Sequence, residues 1–301
     1  MNAISIGEVL WDVVGAVEHL GGAPLNFAAH LSRLGHRVAF ISAVGEDERG
    51  ERILSALPEI GLSSKYIRRV PAYPTGAVTV TLLQGQPSYQ IHRPAAYDFP
   101  RLTEAQFAEL GSHPAHWIYF GTLLQMSRDA RRLTTKVLNS APAARHFYDV
   151  NLRKESWEPA LVRALIARAS VVKLNDEEVR QVAQVLQQPA GTLQEFCRAC
   201  SSAYSLEAVC VTRGAQGCAL LVGGEYAEAD GYPVEVVDAV GAGDAFAAAF
   251  VHGLGSGWAP LQIADFANRV GALVASRPGA IPPWTLAEVD ALGKSNHKEQ
   301  A

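Results

Sequence analysis

VEVVDAVGAGDAFAAAFVHGLGSG, residues 234–257, decides the reading of this chain. VEVVD reads as a strand and AFAAAFVHGLG as an alanine-rich helix, with Gly241, Ala242, Gly243 and Asp244 as the turn between them. Small residues at 241–243 let backbone N–H groups converge without side chains in the way. At a helix entry those donors lack intrahelical partners, and the positive end of the dipole adds attraction for an anion. The turn therefore reads as a phosphate cradle. Asp244, in the first helical turn, is either a stabilising N-terminal charge or a functional carboxylate beside that cradle.

Two familiar phosphate motifs are absent. No G-x4-G-K-[ST] occurs, because the position that needs the first glycine before Gly293-Lys294-Ser295 holds Glu288. No G-x-G-x-x-G follows the first strand, which removes support for a dinucleotide fold. Outward from the cradle, short apolar runs alternate with helical stretches: AISIG, then PLNFAAHLSRLG, then HRVAFISAVG, then EDERGERILSALPEIG. HWIYFG, RHFYDVN, SVVKLN and AVCVTRG follow as further strands, each succeeded by helical text. That alternation predicts a parallel sheet with crossover helices. Ligands of such sheets sit at the carboxyl ends of the strands, here marked by Asp149, Asn151, Asn175, Thr212 and Gly214.

Residues 66–98 break the rhythm with alternating Val/Thr text and a Gly-Gln-Pro turn. They read as a small, mainly β insertion, with a contribution from strands near 11–20. The core is then 1–65 together with 99–301. The insertion is either a flap over a site, able to pair with a second copy through an edge, or a surface hairpin. The last ten residues, LGKSNHKEQA, read as a fraying tail.

Composition bounds the function. A chain of 301 residues that is 49% hydrophobic and 19% charged folds without disulfide or structural metal. A net charge of −4 argues against a dedicated nucleic-acid binder. No apolar run reaches the roughly 18 residues of a membrane span. MNAISIGEVLWDVVG lacks a basic flank, carries Glu8 and Asp12, and reads as a first strand rather than a leader. Cys197 and Cys200 form a C-x2-C that could be half a zinc site or a redox pair; without a second pair at zinc spacing, free thiols in a reducing cytosol are the simpler reading. The histidines show no metal-ligand spacing.

DAVGAGDAFAAAF resembles the C-terminal signature of the PfkB (ribokinase-like) family of carbohydrate kinases, and LGGAPLNFAAHLSRLG its N-terminal signature. GEVLWD, DVNLR, KLNDEE and VTRGAQG stand between or beside them in the family's order, so the resemblance spans residues 3–285. GGAP-N, QIHRPAAYD and DVNLR look most like bacterial fructokinases. The chain departs from the family at Ala239, where a Thr is usual.

The resemblance implies a three-layer α/β/α core with a small β-sheet lid, and ATP-dependent phosphorylation of a primary sugar hydroxyl, most of all fructose. Kinases of ribose, 2-keto-3-deoxygluconate or a nucleoside, or a sugar-binding protein without turnover, are the alternatives. Asp244 matches the general base, ionised at neutral pH because an unperturbed Asp has a pKa of about 3.9. Gly241, Ala242 and Gly243 match the anion hole. Asp12, Gly21, Gly22 and Asn26 match the sugar-binding residues, with Arg93 presented from the lid and Arg153 as a second cation. Asn175 and Glu178 match the family's N-x-x-E, with Glu178 acting on Mg2+ through waters. That spacing is equally a helix capping box. Thr212, Gly214, Gly217 and Asn268 match the nucleotide site. Asp238, the Val240 carbonyl and residues 277–280, Gly279 among them, match a monovalent-cation loop and imply K+ activation. A cytoplasmic enzyme and a homodimer through the lid complete the expectation.

Overall fold

The computed structural model describes residues 1–83, 86–188 and 191–299 and divides into two compact units, Met1–Ala144 and Arg145–Ala301. The first unit holds two sheets. Strands β1 (Asn2–Ile6), β4 (Arg37–Gly45), β5 (Ile67–Val70) and β8 (Trp117–Gly121) run parallel in the order β8-β1-β4-β5. Strands β2 (Leu10–Val14), β3 (Val17–Gly21), β6 (Gly76–Leu83) and β7 (Gln86–Ile91) form a separate four-stranded sheet in the order β3-β2-β6-β7. There β2 and β6 are parallel, while β2–β3 and β6–β7 are antiparallel.

One feature of the insertion differs from the sequence reading. Ile67–Val70, placed with the insertion, extends the parallel sheet beside β4, where Val70 buries against Ala43 and Ala96. The Gly-Gln-Pro turn lies partly at Gly85, outside the described residues.

The helix Ala23–Arg33 follows β3 directly, and its residues 23–31 are all buried. Gly22 stands at its N-cap with φ 118°, and a Cβ there would come within 2.5 Å of the Glu8 carbonyl oxygen. Only glycine allows this abrupt exit from the small sheet. The Ser5 hydroxyl donates to the Pro24 carbonyl at 2.7 Å, so the helix entry is tied to β1.

In the second unit β9 (Arg145–Asp149), β10 (Val171–Asn175) and β11 (Ala208–Thr212) are parallel, and β12 (Cys218–Val222) and β13 (Glu225–Ala229) continue the sheet antiparallel. The β12–β13 hairpin has no counterpart in the sequence reading, which ends its strands at AVCVTRG. Residues 234–238 are not a strand. Val237 and Asp238 donate their N–H groups to the Ala275 carbonyl at 2.9 and 3.1 Å instead of to a neighbouring strand, and Val236 and Val237 stay exposed. Valine content alone cannot create a strand where no sheet edge is available.

The alanine-rich helix is Ala242–Gly255, buried from Ala245 to Val251, with Phe250 packed on Phe147 of β9. Its small residues let the helix Pro260–Ala275 lie close against it. The tail text is helical through Glu299, as part of the helix Leu286–Glu299. All four cysteines are buried thiols, and burial pushes Cys197 and Cys200 up to about 12. Among the described residues no helix is long and apolar enough to cross a membrane.

Candidate active site

The candidate residues fall into two groups, one in each unit. In the first unit the small sheet assembles them by register. Gly21 of β3 lies opposite Leu10 of β2, which lies opposite Gly76 of β6. Val78 pairs with Ile91, and His92 N–H donates to the Ala77 carbonyl at 3.1 Å. Arg93 follows directly after that contact, beyond the end of β7. Three strands distant in sequence thus set Gly21, Leu10 and Gly76 in one row. Asp12, two residues along β2 from Leu10, points its side chain along the same face. Its Oδ2 lies 2.5 Å from where a Gly21 Cβ would be, so a side chain there would displace that carboxylate. Asn26, nearly fully buried, sits one turn into the helix after Gly22, with its N–H donating to the Gly22 carbonyl at 2.9 Å.

Arg93 is held in place by an acidic and a backbone partner. Its Nη2 donates to Asp98 Oδ1, its Nε to Asp98 Oδ2 at 3.3 Å, and its Nη1 to the Leu123 carbonyl at 3.0 Å. The guanidinium lies 5.8 Å from the Tyr97 ring centroid.

In the second unit the cradle forms as the turn text requires. Gly241 is left-handed at φ 79°, and a Cβ on it would meet the Ala280 carbonyl oxygen at 2.4 Å. No side chain caps the helix Ala242–Gly255. Ala242 N–H makes a long contact to the Ala239 carbonyl at 3.4 Å, and Gly243 N–H follows it at the uncapped helix entry, with Asp244 half-buried beside them. Asp238 holds the loop in shape: Oδ1 accepts from Val240 N–H at 3.0 Å and Oδ2 from Gly279 N–H at 3.1 Å. The three residues expected around a monovalent cation are thereby brought together.

Asn175 and Glu178 form a complete capping box: Asn175 Oδ1 accepts from Glu178 N–H at 2.8 Å, and Glu178 Oε2 from Asn175 N–H at 2.9 Å. Glu178 Oε1 also accepts from Leu152 N–H at 2.5 Å, which ties the DVNLR loop to the start of the helix Asp176–Leu186. Burial raises the Glu178 pKa against the pull of those two backbone donors. With both oxygens engaged, Glu178 suits a water-mediated role towards a hydrated Mg2+ and not direct ligation. Among the described residues no group of three His, Cys, Asp or Glu side chains could hold a metal ion. Arg153 is exposed in that loop.

Thr212 ends β11 with its hydroxyl donating to the Leu174 carbonyl at 3.5 Å. Gly214 opens the following turn and Gly217 closes it. A Cβ on Gly217 would lie 2.0 Å from the Ala229 carbonyl oxygen. Asn268 Nδ2 donates to that same carbonyl at 3.2 Å and to the Asp230 carbonyl at 3.0 Å. Its amide braces the exit of β13 against the turn.

Lys173 is the residue that sequence reasoning missed. It lies in the middle of β10 and donates to both oxygens of Asp149 at 3.0 Å, with the two side chains 8% and 1% exposed. Its Nζ is 4.0 Å from where a Gly243 Cβ would be. Burial opposes its charge, but Asp149 first and Asp244 next outweigh that, and the ammonium pKa lies above its ordinary value. The available signal was a lysine inside the apolar run VVKLN. Polar residues inside a buried parallel strand need a partner, and Asp149 had been marked only as a strand end.

The model of a family described as pfkB family carbohydrate kinase matches residues 5–286. The chain belongs to this family. A fructokinase of Escherichia coli is 30% identical over 279 residues, covering 87% of each chain. A fructokinase from Xylella fastidiosa with bound ATP matches 98% of this chain and 99% of its own with a TM-score of 0.85, at 24% identity. A fructokinase from Vibrio cholerae holding fructose, ADP and potassium ion matches 97% of both chains with a TM-score of 0.81, at 23% identity. This pfkB kinase accordingly has the ribokinase-like α/β/α fold with its small sheet, and it is a sugar kinase.

Proposed function

We propose that this pfkB kinase transfers the γ-phosphoryl group of ATP to a primary hydroxyl of fructose. The observation that carries the chemistry is the glycine-entered, side-chain-free start of the helix Ala242–Gly255, with Asp244 in its first turn and the Lys173 ammonium beneath Gly243. Backbone donors preorganised at that entry stabilise charge on the moving phosphoryl group. Asp244 accepts the proton of the attacking hydroxyl. Phosphoryl transfer has a loose transition state, so a carboxylate of ordinary basicity suffices for late proton removal. Mg2+, positioned through waters by Glu178, would neutralise phosphate charge. Asp238, the Val240 carbonyl and Gly279 would hold K+, as the potassium in the Vibrio cholerae fructokinase suggests, and so keep the loop entering the anion hole in shape.

Thr212, Gly214, Gly217 and Asn268 would line the nucleotide site, where the capped and braced turns offer backbone and apolar packing to the base. Asp12, Gly21, Gly22, Asn26 and Arg93 would bind the sugar, with Arg153 as a further cation. Hydroxyl-rich acceptors suit carboxylate, amide and guanidinium groups. The small sheet would act as the lid that excludes water during transfer. Among the described residues, Val14, Val17 and Tyr89 are large hydrophobics exposed on it, and a second copy pairing there would cover them. ATP as donor fits a cytoplasmic location.

The test is an ADP-release assay over about a dozen sugars, with and without K+. Fructose is expected to lead ribose, 2-keto-3-deoxygluconate and nucleosides by at least tenfold in kcat/KM, about 1.4 kcal/mol. A smaller margin removes the fructose assignment. Asp244→Asn is expected to keep the sugar KM within a few-fold and to lose about 10²–10⁴ in kcat. Turnover near wild type in that variant removes the general-base assignment.

A further inference from the structure

At the sugar end of the first unit Arg93 and Asp98, just beyond β7, form an ion pair. Arg93 does not face the row as an isolated cation. Asp98 grips it through both carboxylate oxygens, and the two side chains are 21% and 5% exposed. Asp98 itself is fixed. Its Oδ2 accepts from Ala95 N–H at 3.0 Å, and its carbonyl accepts from the Ser127 hydroxyl at 2.5 Å. Below the pair, Tyr97 is fully buried, and its ring is 2.6 Å from where a Gly76 Cβ would be, so the floor under the guanidinium is packed tight.

A guanidinium has five N–H donors. Three are engaged by Asp98 and Leu123, which leaves two for a ligand. An arginine paired in this way offers hydrogen bonds in a fixed direction but little net charge. A neutral polyol needs only the hydrogen bonds. An acceptor carrying a carboxylate must be compensated for losing its hydration, and a guanidinium already neutralised by Asp98 cannot do that.

We propose that Asp98 is a positioning residue that sets acceptor class: by pinning and neutralising Arg93 it selects neutral sugars and rejects sugar acids. The proposal rests on the reading that Arg93 stands at the sugar site. The experiment compares fructose with 2-keto-3-deoxygluconate in wild type, Asp98→Asn, Arg93→Met and the double variant, using kcat and KM for each acceptor. In Asp98→Asn the fructose KM is expected to rise about tenfold with kcat within threefold, and the acid-to-fructose ratio of kcat/KM to rise at least tenfold. That ratio is taken within one preparation, so it does not depend on the fraction of folded enzyme. Arg93→Met is expected to raise the KM for fructose, and the double variant to show no gain for the acid.

An acid-to-fructose ratio unchanged in Asp98→Asn, with the fructose KM raised in Arg93→Met, overturns the role of Asp98 and leaves the sugar site intact. A fructose KM unchanged in Arg93→Met overturns both. Wild-type enzyme supplies a reading free of any folding defect. The sugar acid is expected to compete with fructose with an inhibition constant at least tenfold above the fructose KM. Tighter competition overturns the proposal.

Discussion

The two groups of candidate residues, one in each unit, are built on opposite plans. The cradle of the second unit is contiguous: four residues, 241–244, supply a left-handed glycine, a helix entry with no side-chain cap and a carboxylate within one turn. Its charges are balanced from below by a buried lysine in a single strand. The sugar end of the first unit has no contiguous motif. Register sets Leu10, Gly21 and Gly76 in one row with Asp12 against Gly21, while Asn26 follows on the next helix and Arg93 pairs with Asp98 beyond β7. Backbone donors at a helix entry are made by local geometry. Side-chain donors for a polyol need a sheet to align them. The first plan tolerates change far away in sequence. The second depends on every strand that sets the row.

The largest effect should come from the floor of the cradle. Lys173→Met leaves Asp149 charged and buried without its partner, and breaking such a pair costs about 3–5 kcal/mol. Urea unfolding should show that loss, and Lys173→Met combined with Asp149→Leu should recover most of it. A loss under about 1 kcal/mol for Lys173→Met would mean that the pair is not the sealed support drawn here. Next in size is Gly243→Val. A Cβ on Gly243 meets only the end of the Lys173 side chain, so the fold should hold. The valine methyl groups would fill the cradle above it. Losing access to a preorganised donor typically costs about 10²–10³ in rate. We expect kcat to fall in that range with the urea midpoint nearly unchanged. A matched loss of stability would show that the cradle is a packing feature and not an open donor set.

Legibility in the sequence follows the same division. The alternation of apolar runs and helices located the parallel strands within a residue or two, because buried parallel strands are continuous hydrophobic text. The turn 241–244 was readable because its chemistry is local. Residues 234–238 were misread as a strand because valines carry β propensity wherever they lie, while a strand needs a partner edge. Ile67–Val70 was assigned to the insertion because nothing local says which of two sheets a four-residue strand will join. Lys173 and Asp98 were missed for a shared reason: each is significant only through a partner, Asp149 in one case and Arg93 in the other. Asn175 and Glu178 show the converse. The capping pattern and the family motif are the same letters, and the structure satisfies the capping geometry in full.

The smallest expected effect tests the register plan at the foot of β6. Asp47 caps the helix Glu48–Ala56 through Gly50 N–H at 2.8 Å, and the same carboxylate accepts from Thr75 N–H at 2.7 Å and the Thr75 hydroxyl at 2.6 Å. It thereby fixes the residue before Gly76, where the row begins. Partial burial alone would raise the Asp47 pKa, but the donors from Thr75 and Gly50 outweigh it and hold the group below its ordinary value. A carboxylate with a lowered folded-state pKa adds stability that is fully present above the unfolded value near 3.8 and is lost as pH falls through the folded value. Asp47→Asn keeps a capping oxygen but no longer titrates. Urea midpoints for wild type and Asp47→Asn should therefore be furthest apart at neutral pH and converge below about pH 4. The fructose KM of the variant should shift at neutral pH in proportion to how firmly Thr75 sets Gly76. Parallel midpoint curves across the acid range would show that Asp47 acts as a cap alone, and the row would then owe its register to the strands themselves.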